Sequence, residues 1–480
     1  MKYCTAGESH GPALVAVVTD VPAGFALSSA AIDSDLARRQ SGYGRGGRMK
    51  IEHDRVEVLS GLRFGRTLGS PLALRIENRD WANWSERMAA EGRAPRDLKL
   101  EQSPRPGHAD LVGALKTGTL DCRDVLERAS ARETAARVAA GAVAKAFLAN
   151  FGVEIGSYVT RIGPVELPPA EVARKAGVFS ATKVEASAVR CPDEETSAHM
   201  MAAIDDARKA GESLGGWFVV TATGLVPGLG SYAEATDRLT GRIGGALLSI
   251  PAIKGLEFGL GFAAGTLPGS QVHDPIVYAD KGGRSGVGGY PGAGGAAGVG
   301  GAGTSAGAVG AAGAVDAGGA GAAGAVGAGA AVSPTTPTTP TTPAAATAIG
   351  AAGAGADAGE DAGAARHIEA NAFGRIRRAS NNAGGLEGGM TTGEPLIIRA
   401  VMKPIPTMTR PLATIDLVSH EAVEASKERS DVCAVPAAAV VAEAELALVL
   451  ANAYMDKFGR DALVDIMGAF RVYVDRITAC

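Results

Sequence analysis

Cysteine is scarce in this chain. Its five residues (Cys4, Cys122, Cys191, Cys433 and Cys480) are odd in number and scattered. None stands in a CxxC or other metal-ligand spacing, which points to reduced cytoplasmic thiols and excludes a zinc site. No uninterrupted apolar run is long enough to cross a bilayer. The six residues ahead of Gly7 are too few for a signal peptide, so a cytoplasmic location with no membrane partner is expected. Excess charge is lacking too: the formal net charge of -4 argues against a protein built to bind nucleic acid. No G-x-G-x-x-G falls between a strand and a helix, so a dinucleotide-binding βαβ unit has no support.

The 480 residues are 46% hydrophobic and 20% charged, enough for a substantial globular core. One stretch does not belong with it. From 282 to 365 the chain is mostly glycine and alanine, with a Pro-Thr-Thr repeat at Pro334–Pro343, and no aromatic residue stands between Tyr290 and Phe373. Such a segment cannot bury enough apolar surface to offset its ordering entropy, and is expected to be a disordered insertion. A long loop costs only logarithmically more closure entropy than a short one, so it is tolerable. The organisation expected is a core in two parts, 1–281 and 366–480, around the insertion at 282–365.

Ala13–Asp20 reads as a buried strand closed by Val21-Pro22-Ala23-Gly24. Ile51–Leu59 alternates like a half-exposed strand, and Trp217–Ala222 and Leu396–Met402 are strand-like. A helix is expected from Ser130, where Ser130-Ala131-Arg132-Glu133 fits a capping box, and another after Pro436 to about Phe458. The mixture implies an α+β layered fold.

Several segments carry chemistry. Gly7-Glu8-Ser9-His10-Gly11 sets a histidine among small residues, where a proton donor could act. Arg38, Arg39, Arg45, Arg48 and Lys50 share a glycine-interleaved stretch without one acidic residue, which suits a polyanionic ligand. Arg105-Pro106-Gly107-His108-Ala109-Asp110 offers a second histidine beside an arginine. Arg128-Ala129-Ser130 lies at a helix start, where free N–H groups favour an anion, and Arg429-Ser430-Asp431 precedes the second long helix. Ser380–Gly393 is a glycine-rich turn series followed by Lys403-Pro404-Ile405-Pro406-Thr407, so its backbone can approach a flat or phosphorylated ligand.

In this order, Gly7–Gly11, Arg38–Lys50, Arg105–Asp110, Arg128–Gly141, Ser380–Thr407 and Arg429–Ala442 resemble the signature regions of the chorismate synthase family. The resemblance implies a β-α-β sandwich assembling as a homotetramer. The activity it implies is anti-1,4-elimination of phosphate from 5-enolpyruvylshikimate 3-phosphate to give chorismate. The cofactor it implies is reduced FMN (FMNH2), with NADPH a candidate indirect reductant and an external flavin reductase as supplier. By motif, His10 would assist the leaving phosphate, His108 would stabilise or protonate the reduced flavin, and Asp431 would help take up the ring proton. Flavin contacts would fall on Arg128, Ala129, Ser130, Pro251, Ala252, Gly388, Lys403, Pro404, Ile405, Pro406, Thr407 and Arg429. Arg39, Arg45, Arg48, Arg105 and Arg132 would grip the substrate's anionic groups, the first two being associated with NADP as well. No metal is implied. Asn382 occupies a position often held by arginine in the family. Two other readings compete: a different FMN-dependent oxidoreductase, which would change flavin redox state at each turnover, and an inactive anion-binding scaffold, in which His10→Ala and Asp431→Ala would be silent.

Deleting Gly292–Ala362 is expected to leave turnover largely intact. A large loss in the deletion variant would show that the Gly/Ala stretch takes part in the chemistry.

Overall fold

The computed structural model describes residues 1–46, 52–168, 179–278, 376–426 and 431–479. Arg48, Lys50, Arg429 and the whole expected insertion at 282–365 lie outside them. Within the chain, Met1–Pro291 and Ala365–Cys480 together make one compact unit, which contains all the described residues.

Alternation builds the first sheet. In β2 (Ala13–Thr19) the residues Leu14, Ala16 and Val18 are buried while their neighbours are half-exposed, as a strand lying on a core by one face requires. It pairs antiparallel with β1 (Lys2–Ala6) and β6 (Leu72–Glu77), and β3 (Val56–Ser60) completes the order β1-β2-β6-β3. Between β3 and β6 runs a ribbon, β4 (Leu62–Arg63) and β5 (Arg66–Thr67). The second sheet is also antiparallel. It comprises β7 (Glu154–Ile162), β8 (Val165–Glu166), β9 (Gly216–Thr223), β10 (Ile253–Phe258) and β15 (Leu396–Met402), in the order β10-β15-β9-β7-β8. Smaller ribbons join β11 (Ile276–Tyr278) to β12 (Ile376–Arg378), β13 (Leu386–Glu387) to β14 (Met390–Thr391), and β16 (Ala413–Ile415) to β17 (Ala422–Glu424).

The helices are α1 (Ser29–Gln40), α2 (Asp110–Thr117), α3 (Arg123–Ala129), α4 (Thr134–Ala149), α5 (Ala181–Ala186), α6 (Glu194–Ala210), α7 (Leu239–Leu248), α8 (Gly269–Val272), α9 (Val435–Phe458) and α10 (Leu463–Thr478). Helix α4 lies on β2 and β6, α9 lies on β7 and β9, and the two pack on each other, with α1 and α7 beside them. The result is the expected β-α-β sandwich, in which helices form the middle layer. Helix α9 is apolar on every side, which fits an element covered all round. By length and composition it could span a membrane, yet it is almost wholly buried in this core. Small residues let α4 and α9 approach: a Cβ on Gly141 would come within 2.3 Å of the Ala444 Cβ.

Two expectations need correction. The strand expected from Ile51 starts only at Val56; residues 52–55 carry Glu52 and Asp54 inward to buried arginines instead. The helix expected from Ser130 opens with a 3-10 turn, Ala131–Glu133, before α4. Ser130 does cap it by accepting from Arg132 N at 3.3 Å, but Glu133 pairs with Arg137 and not with the cap, so the capping box is half-formed. Arg38 and Arg39, read only as part of a glycine-interleaved stretch, stand in the last turn of α1, a helix N-capped by Ser28.

The middle layer buries charge as well as apolar surface. Glu443, in the third turn of α9, is fully covered and accepts from Arg38 Nη1 and Nη2 (2.8 Å each), Lys145 Nζ (2.7 Å), Ser157 Oγ (2.6 Å) and Arg190 Nη2 (3.2 Å). Burial alone would raise its carboxyl. Lys145, Arg38 and Arg190 outweigh that and bring it down to about 2. The folded value lies below the ordinary 4.5, so the stability it contributes is complete above about pH 4.5 and is lost as pH falls toward 2. Glu443→Gln removes the buried anion that Arg38, Lys145 and Arg190 share, leaving them only Asp35 and Glu185, at a cost of about 3–5 kcal/mol at neutral pH. Urea denaturation should show that loss and a flatter acid limb in the variant. A midpoint equal to wild type would remove Glu443 from this role.

Candidate active site

His10 lies in the turn between β1 and β2, so a strand precedes it. Its ring Nδ1 is 2.9 and 3.0 Å from the two oxygens of Glu127, and its backbone N–H donates to the same carboxylate at 2.8 Å. Glu127 is almost wholly buried near the end of α3. Burial acts to raise its carboxyl, and the hydrogen bonds from His10 and Arg123 overcome this and hold it below the usual range. An ionised Glu127 accepts only, so Nδ1 carries the hydrogen and the tautomer is set. The Trp84 ring covers the imidazole, centroid to centroid 4.1 Å, and the Arg123 guanidinium sits 5.2 Å from the Trp84 ring centroid. The His10 side chain keeps only 13% of its surface exposed.

The stretch Arg128–Ser130 packs behind this histidine. Arg128 Nη2 donates to the Thr5 carbonyl (2.9 Å) and Nη1 to the Gly7 carbonyl (3.1 Å), fixing β1 and its turn. Ser130 Oγ donates to Ser9 Oγ at 3.2 Å. Asn78 bridges outward from the same turn: its Nδ2 donates to the Gly11 carbonyl (2.8 Å), and its Oδ1 accepts from Arg132 Nε (2.9 Å). Arg132 and Arg39 then share Asp54, at 2.5 Å and 3.4 Å, and both are buried. Arg39 also donates to Thr134 Oγ1 and the Ala131 carbonyl. Burial lowers Arg39 to about 9, with Asp54 acting against it, which leaves it charged at neutral pH. These bonds engage three of its five N–H donors, so the fork retains capacity for a ligand.

A second group forms around His108. Arg105 donates from Nε to Asp110 Oδ2 at 2.8 Å and from Nη1 to Thr407 Oγ1 at 3.1 Å. His108 Nδ1 is 2.5 Å from Asp110 Oδ1, and Arg105 Nη2 is 3.1 Å from both atoms. Burial acts to raise the Asp110 carboxyl, but bonds from His108 and Arg105 hold it far below the usual range. An ionised Asp110 makes Nδ1–H the donor, so the Arg105 Nη2 hydrogen goes to Asp110 and not to the ring. Pro404 to Thr407 come to the same place: Lys403 Nζ donates to the Gly107 carbonyl, and a Cβ on Gly107 would touch Pro406 at 3.8 Å. Ser213 Oγ fixes the Ile405 carbonyl at 2.6 Å, and Lys403 N donates to Ala252 O at 3.0 Å. Ala252, next to Pro251, holds φ +69°, a conformation an alanine rarely adopts and one that recurs at ligand sites.

The third group is Arg45 with Asp431. Arg45 Nη1 lies 3.2 Å from Asp431 Oδ2, and the other oxygen accepts from Gly46 N at 2.6 Å. Arg45 and Asp431 are close enough to act electrostatically on Arg39, which ties this group to the first. Cys122 feels Asp110 and Arg105 while the next residue, Arg123, pairs with Glu127, which ties the first to the second. Gly388 stands elsewhere, at the β13–β14 turn near α7, and no contact among the described residues joins it to these groups. Asn382 donates to Gln271 O and, through its backbone, to Asp274.

Sequence reasoning missed Glu127, Asp110, Asp54, Asn78 and Trp84 as participants. Asp110 was within reach, two residues from His108 in the same motif. The other four are brought in from 15 to 117 positions away, which no local pattern reveals.

A family model described as chorismate synthase matches residues 1–306 and 344–455, breaking inside the Gly/Ala stretch. The chain is similar to the chorismate synthase of Desulforudis audaxviator, 43% identical over 100% of this chain and 98% of the relative. That of Symbiobacterium thermophilum is 44% identical over 99% of each chain, and that of Rubrobacter xylanophilus 45% over 99% and 97%. A solved crystal structure of chorismate synthase matches with a TM-score of 0.65 at 34% identity, covering 100% of this chain and 98% of that one.

Arg105 and Asp110 should be coupled in stability. A double-mutant cycle with Arg105→Met and Asp110→Asn is expected to give an interaction of about 1–3 kcal/mol by urea denaturation. Strict additivity would mean that the pair does not hold this loop.

Proposed function

We infer how the residues act from the premise that this chain belongs to the chorismate synthase family. It is a lyase that eliminates phosphate from 5-enolpyruvylshikimate 3-phosphate to form chorismate, serving aromatic amino acid biosynthesis. The reading of its site rests on one observation: two histidines, His10 and His108, are each held at Nδ1 by a buried carboxylate.

In the reaction a C–O bond to phosphate breaks, a ring C–H is lost as a proton, and the double bonds shift between them. With Nδ1 committed to Glu127, Nε2 of His10 serves the departing phosphate and gives it a proton. Trp84 covers the imidazole and limits water there. The carboxylate of Asp431 helps to receive the ring proton; it is 21% exposed and positioned by Gly46 N and Arg45. Arg39, Arg45 and Arg132, together with Arg105 and with Arg48 beyond the described residues, hold the carboxylates and phosphate of the substrate. Each described arginine of this set is anchored on an internal acid, so its spare N–H donors are oriented before the ligand arrives.

The donor set fits a phosphorylated flavin. Lys403 meets no carboxylate among the described residues, and prolines 404 and 406 stiffen the stretch that ends at Thr407. Arg128–Ser130, Pro251, Ala252 and Lys403–Thr407, with Arg429 beyond the described residues, would hold reduced FMN, whereas Gly388, expected among these contacts, stands apart from them at the β13–β14 turn. When bound, it supplies the transient electron density that loosens the C–O bond. His108, with Nδ1–H on Asp110, would have its other nitrogen available to stabilise or protonate the reduced flavin. NADPH acts only indirectly, through a separate flavin reductase, in a cytoplasmic homotetramer.

The test is anaerobic release of phosphate and chorismate with chemically reduced FMN. Equal amounts of both products with the flavin returned reduced are expected; net flavin oxidation would favour an oxidoreductase instead. His10→Ala should lower kcat about 10²–10⁴-fold. Glu127→Gln, which keeps the hydrogen bond and removes the charge, should lose less, roughly tenfold to a hundredfold. Silent variants at His10 and Asp431 would favour the inactive scaffold.

A further inference from the structure

The ladder between β10 and β15 ends in a charge arrangement that the site described above leaves unexplained. Ile253 pairs with Met402 and Gly255 with Val401, so Lys254 is the extra residue of a bulge and faces no partner of its own. A bulge of this kind bends the strand and re-aims the side chain it carries. Lys403 follows directly after the ladder, its N–H bonded to Ala252 on the far side of the same bulge. Lys254 and Lys403 thus stand on neighbouring strands where the ladder ends, near enough for their charges to interact. Further along the same ladder the arrangement is different: Glu257 stands opposite Arg399 and pairs with it, Nε to Oε2 at 2.9 Å. That charge is compensated. Neither Lys254 nor Lys403 forms an ion pair among the described residues, and the one polar contact of Lys403 Nζ is the Gly107 carbonyl. Lys403 is partly buried; burial first, and then the charge of Lys254, lower its ammonium from the ordinary value.

Two like charges set together without an anion repel, and desolvation adds to the cost. Such a pair is stable with a doubly charged ligand between the ammonium groups. A phosphate monoester carries about −1.5 to −2 near neutrality and offers three acceptor oxygens, which matches two lysines in charge and in donors. We propose that Lys254 acts with Lys403 to seat a phosphate monoester at the end of the β10–β15 ladder. This rests on the reading of Pro251, Ala252 and Lys403–Thr407 as the flavin-binding stretch, which makes the terminal phosphate of FMN the expected occupant. The phosphate of the substrate has the same chemistry and is the other source.

Lys254 is exposed, so Lys254→Gln should fold as wild type does. Full-length protein would be titrated with FMN, with riboflavin and with 5-enolpyruvylshikimate 3-phosphate, following flavin fluorescence and equilibrium dialysis. Lys254→Gln is expected to weaken FMN about tenfold and leave riboflavin unchanged, with Lys254→Arg recovering most of the loss. Weakening confined to the shikimate ester would keep the phosphate seat and assign it to the substrate. Unchanged affinity for both phosphate esters in Lys254→Gln would overturn the proposal while leaving the elimination activity, measured separately, to stand. Wild-type protein that binds FMN no better than riboflavin, with the ester unaffected in the variant, would overturn both the seat and the flavin-binding stretch on which it rests.

Discussion

Burial of the Glu443 carboxylate inside a helical layer is the constraint from which much of the arrangement follows. A charge without water must be met from several sides, and here α1, α4, β7 and the bend at Arg190 each send a group to it. Arg190 reaches it with φ +57°, a conformation a side chain of its size seldom accepts. The consequence for function lies one residue away. Successive residues of a helix point about 100° apart. Once Arg38 is fixed on Glu443, the rotation of α1 is fixed, and Arg39 must point toward Asp54, Thr134 and Ala131. The structural clamp and a ligand-gripping arginine are therefore neighbours on one helix.

The same logic recurs at each functional side chain. Glu127 holds His10, Asp110 holds His108 and Arg105, Asp54 holds Arg39 and Arg132, and Asp431 holds Arg45. A chain of net negative charge could not keep such a concentration of cations together otherwise, since they would repel at short range. Internal acids remove that repulsion and set geometry at the same time. They also leave each guanidinium partly unspent, because a fork has more donors than one carboxylate accepts. The lysine pair at the β10–β15 ladder is the exception, and it is the exception that gives it meaning.

What was legible in the sequence depended on the range of the signal. Strand β15 was read to the residue, and α9 to within one, because alternation and an apolar run opened by proline are local patterns. Helix α1 was not read. Its twelve residues are half polar, and the Ser28 cap gave the only start signal. The motif histidines and arginines were legible as chemistry, since glycine, histidine and arginine together are unusual in a packed core. Their carboxylate partners were not, because Glu127 and Asp54 reach their partners only through the folded chain. Residues 52–55 were misread for the same reason: alternation suggested a strand, whereas the acids point to arginines 78 and 15 positions away.

Chain topology also bears on where a long insertion can be carried. Residues 276–278 and 376–378 pair as an antiparallel ribbon, so the chain leaves and returns at adjacent points. Just outside the ribbon, Asp274 accepts from Ser380 Oγ, Asn382 N (2.7 Å) and Ala383 N (2.9 Å), and Arg378 donates from Nε and Nη2 to the two carboxylate oxygens of Glu387. The glycine-rich turns from Asn381 onward are thus fastened to the preceding segment independently of what connects them. Gly384 and Gly259 approach so closely that a Cβ on either would meet the other's backbone within 2.5 Å, which fixes the turn against β10. With register set on the core side of the ribbon, the length of the connection enters only as closure entropy, which grows slowly.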